Sequence, residues 1–258
     1  MPHSPDELRA LVEEELHHLK LSPDLHGQAE SAHYGLVGVG GKRVRPVISL
    51  AVGEALGAPV EQVMPAALAI ELVHNFSLIH DDLPALDNDE ERRGKPSVWA
   101  VYGEGTAVLA GDALLAEAFR LACRYASSDV ARELSEATLG MIGGQYLDTM
   151  VPDADLVVVH RLKTGCLFFA SVALPLWAVA VPPDEQAPWR AFGKELGLLF
   201  QIVDDILDGD GYVNVHGPDG ARRLAGEAAD NARARLADVI ADTTVLREIV
   251  DDLAVRTA

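Results

Sequence analysis

An apolar run over residues 60–80 ends in Asp81-Asp82, and Pro84 follows two residues later. Such a run predicts a helix long enough to cross the core of a domain, and Pro84 interrupts its course just after the acids. The helix therefore delivers charge to the mouth of an apolar segment. Asp87, Asp89 and then Arg92-Arg93-Gly94 come next, so acids lead and bases follow across residues 74–96. Charge placed at the edge of a core is costly without partners, so a fold built on this chain must supply them.

The rest of the chain reads as helical. Hydrophobic residues make up 49% of it and aromatics 5%. The apolar content is therefore mainly Ala, Leu and Val, which suits packed helices better than β-sandwiches. Ser4-Pro5-Asp6-Glu7 has the form of a capping box, and Ser22-Pro23-Asp24 predicts a second helix start. Further helices are expected over 46–56, 105–125, 130–150, 155–181, 188–207, 221–240 and 244–255. Residues 35–41 form a glycine-rich passage. Residues 209–220 carry four glycines and Pro218 and read as a loop. There is no strand alternation, linker or short repeat. The expectation is an all-α helical bundle, one domain over residues 1–258.

The net charge of −19 argues against nucleic acid and anionic membranes as partners. Two cysteines, Cys123 and Cys166, without a CxxC pair fit a reduced, cytoplasmic protein. The opening MPHSPDELRA has no apolar signal core. The longest apolar stretch, 167–183, holds Ser171 and Pro175 and falls short of the ~20 residues a membrane span needs. A buried helix, not an integral membrane segment, is expected there.

A second acidic cluster, FQIVDDILD, occupies residues 200–208. On a helix Asp204 and Asp208 share a face, with Asp205 roughly 100° round. A solvated acidic edge is one reading, and Asp251-Asp252, with no acid a turn later, fits it. Three carboxylates on an otherwise apolar helix instead repel one another unless a cation sits among them. Two clusters facing each other suit magnesium ions on one diphosphate, whose charge they would neutralise as it leaves. Basic residues occur in three places: Lys42, Arg43 and Arg45 after the glycine passage, Arg92-Arg93 after the first acids, and Lys163 beside Thr164. Arg forks and Lys point charges bind phosphate oxygens, although any single one also fits a surface ion pair. His74, alone on an apolar helix, also fits a packed core histidine.

Taken together and in order, these segments resemble the trans-isoprenyl diphosphate synthases, the polyprenyl synthetase family. The residues that carry the resemblance are GGKRVRP (40–46), HDDLPALDNDEERRGKPS (80–97), LAGDALL (109–115), GGQYLD (143–148), LKTG (162–165) and FQIVDDILD (200–208). The resemblance implies a central apolar cavity with both aspartate motifs at its mouth. It implies condensation of isopentenyl diphosphate with an allylic diphosphate, using several Mg2+ ions, in a homodimer. Asp81, Asp87 and Asp204 would bind magnesium most directly, with Asp82 and Asp208 contributing. Lys42, Arg45, His74 and Arg93 would hold isopentenyl diphosphate. Arg92, Lys163, Thr164 and Gln201 would hold the allylic diphosphate. Phe76, five residues before Asp81, would floor the tail pocket and stop growth at C15, farnesyl diphosphate.

One segment departs from the family pattern. Asp208 is followed by GDGYVNVHGPDGARR, and no lysine follows Lys194. The resemblance therefore leaves one allylic phosphate ligand unassigned. Two other readings keep a place: a class I terpene cyclase, and a weak or inactive partner subunit of a synthase.

Overall fold

The computed structural model describes residues 2–255, so Met1 and residues 256–258 of the expected domain lie outside it. Helix α1 (Pro5–His18) starts at the expected capping box, with Ser4 accepting from the Glu7 backbone N–H. Ser22-Pro23 opens only one turn of 3-10 helix, Pro23–Leu25, instead of a full helix. Its cap spans a single backbone N–H, and α2 (Gln28–His33) begins separately. The glycine passage starts as a widened turn, Tyr34–Gly38. Helices α3 (Val44–Ala55) and α4 (Val60–Asp81) follow.

Helix α4 is the centre of the molecule. Apolar residues lie on every side of it, and Leu72, Ile70 and Ala67 are fully buried. A helix that is apolar all round must be enclosed, and α3, α6 (Glu104–Ala122) and α9 (Cys166–Ala178) enclose it. Truncating such a side chain, for example Leu72→Ala, costs about 2–5 kcal/mol. Beyond its C-terminus the chain makes a two-strand hairpin, β1 (Glu91–Arg92) against β2 (Lys95–Pro96). That is a correction to the strand-free reading. Arg93 and Gly94 at φ 56° and 76° form its two-residue turn, the geometry that favours tight hairpins.

After α5 (Val98–Tyr102) and α6 comes α7 (Asp129–Met150). The run expected over 155–181 is continuous, but it divides into α8 (Leu156–His160), a widened turn over Arg161–Gly165, and α9. Such π-type turns often mark functional positions, and this one carries Lys163-Thr164-Gly165. Helix α10 (Ala187–Asp208) packs on α9 and on α11 (Tyr212–Ala237), and α12 (Thr244–Val255) closes the bundle. Residues 209–220, expected to be a loop, are mostly helix. Gly209 and Gly211 take positive φ and turn the chain back at once. Gly217, at φ 71°, kinks α11, and Pro218 restarts it.

Two runs, Val60–Asp81 and Leu156–Ala178, are apolar and long enough to cross a membrane by length and composition. The sequence-based expectation that no stretch reaches that length is therefore revised. In this fold α4 lies within the core, and Leu167, Phe168, Leu174 and Leu176 of α9 are buried against it and its neighbours.

Candidate active site

The C-terminal end of α4, the start of α3, the middle of α7, the turn before α9 and the end of α10 converge on one cavity of about 750 Å3. Its acidic wall is Asp81 on one side and Asp204 with Asp208 on the other. Lys42, Arg45, Arg92, Arg93 and Lys163 also line it, and so do His74 and Thr164. Phe76, Leu78, Leu86, Met141, Ile142, Leu167 and Phe200 supply the apolar lining. One cavity thus has a charged part and an oily part, the two surfaces that an amphipathic anion needs.

The first acidic cluster is assembled by a turn. Past α4 the Asp87 backbone N–H donates to the Asp81 carbonyl at 2.9 Å, bringing the two residues side by side. Burial raises the Asp81 carboxyl to about 6, and Asp87 and Asp82 push the same way. Asp82 does not line the cavity: it is 2% exposed, and Arg92 Nε donates to it at 2.6 Å. Arg92 therefore both faces the cavity and neutralises an aspartate behind it.

The second cluster is a regular helix face. Asp204 is raised by burial and by Asp208 beside it, against the pull of Lys42 and Arg45. Asp205 lies roughly 100° round the helix and points to α11. Its carboxylate accepts from Gln201 Nε2 at 2.6 Å and from the Tyr212 backbone N–H at 2.8 Å. Gln201 is 9% exposed and held by this bond to Asp205, and it is not among the residues that line the cavity with Lys163 and Thr164. The cause is helical geometry: Gln201 and Asp205, four residues apart, share a face roughly 80° round from the one that Phe200, Asp204 and Asp208 present to the cavity. Gly211 makes the contact with α11 possible, since a Cβ there would lie 2.0 Å from Asp205 Oδ2.

Two residues of the basic wall, Arg45 and Arg93, are tied to neighbouring groups. Arg45 is packed with its guanidinium 4.5 Å from the Phe168 ring centre and 5.8 Å from that of Phe200. Burial lowers it to about 10, against the attraction of Glu71 and Asp204, and its Nε has no protein partner. It remains a cation at neutral pH, buried and under-paired, which favours an anionic ligand. Burial, with Arg45 and Arg93 nearby, lowers His74 well below its usual value, so this imidazole is neutral and can donate one N–H. Arg93 Nη1 donates to the Gly40 carbonyl, tying the hairpin to the glycine passage.

The carboxylates fit magnesium. Asp81 and Asp204 are each raised by burial and by neighbouring acids, a cost that a cation in the cavity would relieve. Among the described residues no three His, Cys, Asp or Glu side chains gather into a closed metal site. An ion here must take its other oxygens from water or phosphate, as magnesium usually does.

The comparisons with known proteins agree with this geometry. The family model for polyprenyl synthetase matches residues 28–220. The chain belongs to the polyprenyl synthetase family. Among the family's members it is 43% identical over 188 residues to farnesyl diphosphate synthase of Bacillus subtilis, covering 67% of this chain and 63% of that one. It is 44% identical over 198 residues to the heterodimeric geranylgeranyl pyrophosphate synthase large subunit 1 of Arabidopsis thaliana, covering 69% and 53%. The matched part thus spans between about half and two-thirds of these relatives' length. A solved geranyltransferase from Legionella pneumophila superposes with a TM-score of 0.87 at 30% identity, covering 98% of this chain and 96% of that one.

Two features of this polyprenyl synthetase site escape sequence reasoning. Arg43, which reads as one of three loop cations, is 2% exposed and structural. It starts α3 at φ 51° and donates to Glu71 at 2.7 Å, Glu13 at 3.0 Å and the Leu36 carbonyl at 2.8 Å. Its carboxylate partners, Glu13 and Glu71, lie 30 and 28 residues away, so no local pattern reveals them. The other is Asp148, which pairs with Lys163 Nζ at 2.6 Å. Its place three residues after Gln145 in GGQYLD was the available signal.

Proposed function

We propose that this chain condenses isopentenyl diphosphate with dimethylallyl or geranyl diphosphate, head to tail, and that growth ends at C15. The observation that carries the reading is the single cavity in which Asp81 and Asp204 face one space with Lys42, Arg45, Arg93 and Lys163 around them. Arg92, Lys163 and Thr164 hold the allylic diphosphate. Lys42, Arg45, Arg93 and the neutral His74 hold isopentenyl diphosphate. Asp81, Asp87 and Asp204, with Asp208, are the magnesium ligands; Asp82 acts behind them through Arg92. Magnesium supplies charge neutralisation of the diphosphate.

The carbon–oxygen bond of the allylic substrate breaks, and both electrons leave with the diphosphate. The isopentenyl double bond attacks the resulting cation. The released diphosphate takes the proton whose loss restores an alkene. The protein's part is to hold both substrates in line, keep water out and supply fixed charge. Phe76, 6% exposed and edge-to-face on His80 with ring centres 5.3 Å apart, stands at the apolar end and limits chain length.

A second copy of this chain is the proposed partner. Leu109, Leu139 and Tyr146 on α6 and α7 are 55–67% exposed, an apolar surface that such a partner would cover. Membrane insertion and nucleic acid have no place in this reading, and the proposed location is the cytoplasm.

Diphosphate release by purified protein tests the reaction class. Release is expected only with magnesium and both substrates together. Release from the allylic diphosphate alone would instead mark a terpene cyclase. A modulating partner subunit is the second reading, favoured by the tight turn after α10 that brings no lysine back to the cavity. It would bind the diphosphates and release nothing.

A further inference from the structure

Gln145 is the polar side chain that this fold leaves most conspicuously without a partner. Both its Oε1 and its Nε2 are buried with no hydrogen bond, and among the described residues no other side chain has two such atoms. Yet it lines the cavity. A buried amide with neither end satisfied costs stability, so its retention points to a ligand that satisfies it.

Its position along α7 indicates which part of the ligand. Asp148, Gln145, Ile142 and Met141 lie at spacings of three and four residues and share one face. Asp148 is exposed and paired with Lys163, at the charged end. Met141 and Ile142 belong to the apolar lining. Gln145 lies between them, where the charged part of the cavity gives way to the oily part. The backbone of the Lys163 turn is pressed against α7 there, because a Cβ on Gly144 would lie 2.2 Å from the Lys163 nitrogen. That contact holds α7 against the turn that carries Lys163 and Thr164, and Gln145 lines the same cavity as both.

An allylic diphosphate lying across this boundary has its reacting carbon–oxygen bond at Gln145. We infer that Gln145 is a further catalytic residue of the reaction proposed above, on which this inference rests. Its carbonyl oxygen faces the allylic carbon that becomes positive, and its NH2 donates to the departing diphosphate. When the carbon–oxygen bond breaks, the electron pair goes to the diphosphate oxygen, and the two ends of the amide dipole meet the two charges produced. Both contacts strengthen as charge separates, so the residue favours the transition state over the bound substrate.

The test is a pair of variants, Gln145→Leu and Gln145→Asn, in the full chain with magnesium. Three quantities are measured: melting temperature without ligand, affinity for a geranyl thiodiphosphate that cannot ionise, and affinity for an ammonium analogue of the geranyl cation with inorganic diphosphate. Gln145→Leu is expected to melt at or above the wild-type temperature, because an unsatisfied amide is gone. It is expected to bind the thiodiphosphate within about threefold of wild type and the ammonium pair ~10- to 100-fold more weakly, with kcat reduced in parallel and the KM for isopentenyl diphosphate unchanged. Gln145→Asn, which keeps the amide, is expected to recover part of both losses. Equal weakening of both ligands, no weakening of either, or a fall in melting temperature with cation binding intact would overturn the assignment. Wild-type protein that discriminates the ammonium pair without turning over would leave Gln145 in place and remove the proposed reaction instead.

Discussion

The two aspartate clusters face the same cavity but are built differently. The first hangs from the end of a buried helix and is completed by a turn, with Arg92 holding Asp82 from behind. The second is carried by a regular helix, and its middle member, Asp205, faces sideways to anchor the chain reversal into α11. Three neighbouring acids in each place therefore do different work. Asp81 and Asp204 face the ligand space, while Asp82 and Asp205 hold the scaffold. The number of aspartates in a motif does not give the number of metal ligands; the direction each takes relative to its helix does.

Substitution breaks the comparison most sharply at the cavity-facing pair. Asp81→Ala and Asp204→Ala are each expected to lower kcat about 1,000-fold, with melting temperature near wild type, since each loses a buried charge held against repulsion. Steady-state turnover beside thermal melts checks both halves. Asp205→Ala should do the reverse. It leaves Gln201 and the buried Tyr212 N–H unpaired, a cost of about 1–3 kcal/mol. That corresponds to a fall of roughly 3–10 °C in melting temperature, with magnesium affinity retained in a calorimetric titration.

Acidity separates the clusters more finely. Burial holds Asp81 near 6, above its value in an unfolded chain. Its proton therefore stabilises the metal-free fold fully below about pH 4, and that contribution fades as pH rises through about 6. Protons also compete with magnesium for the same oxygens. Affinity for magnesium with diphosphate is expected to rise about tenfold between about pH 5 and 7, and Asp81→Asn should flatten that rise. A smaller effect is expected from Asp208→Asn, because Asp208 is exposed at the end of α10; a loss of about tenfold in kcat is enough to detect by the turnover assay.

Much of this division was legible in advance, and its limits are physical. The helices on either side of the site follow from apolar runs, caps and proline positions, and Lys42, Arg45, His74, Arg92, Arg93, Lys163 and Thr164 line one cavity. A motif gives neighbours in sequence, whereas the helix face decides which way each neighbour points, and Gln201 pairs with Asp205 on a face beside that of Asp204. Residues 209–220 looked like a loop because four glycines and a proline carry low helix propensity. In the fold Gly209, Gly211 and Gly217 each occupy positive-φ positions at turns and the kink, and packing of α11 on α10 supplies the rest. The Arg43–Glu71–Glu13 network has no local signature at all, since its members meet only when α1, α3 and α4 do.

The most direct measurement is the product made from isopentenyl diphosphate and geranyl diphosphate with magnesium, resolved by chain length for wild type and Phe76→Ala. A C15 product from wild type, with longer products from Phe76→Ala, is the expected result. Retained diphosphate binding with no product from either protein would contradict it and leave a binding subunit whose cavity has lost its reaction.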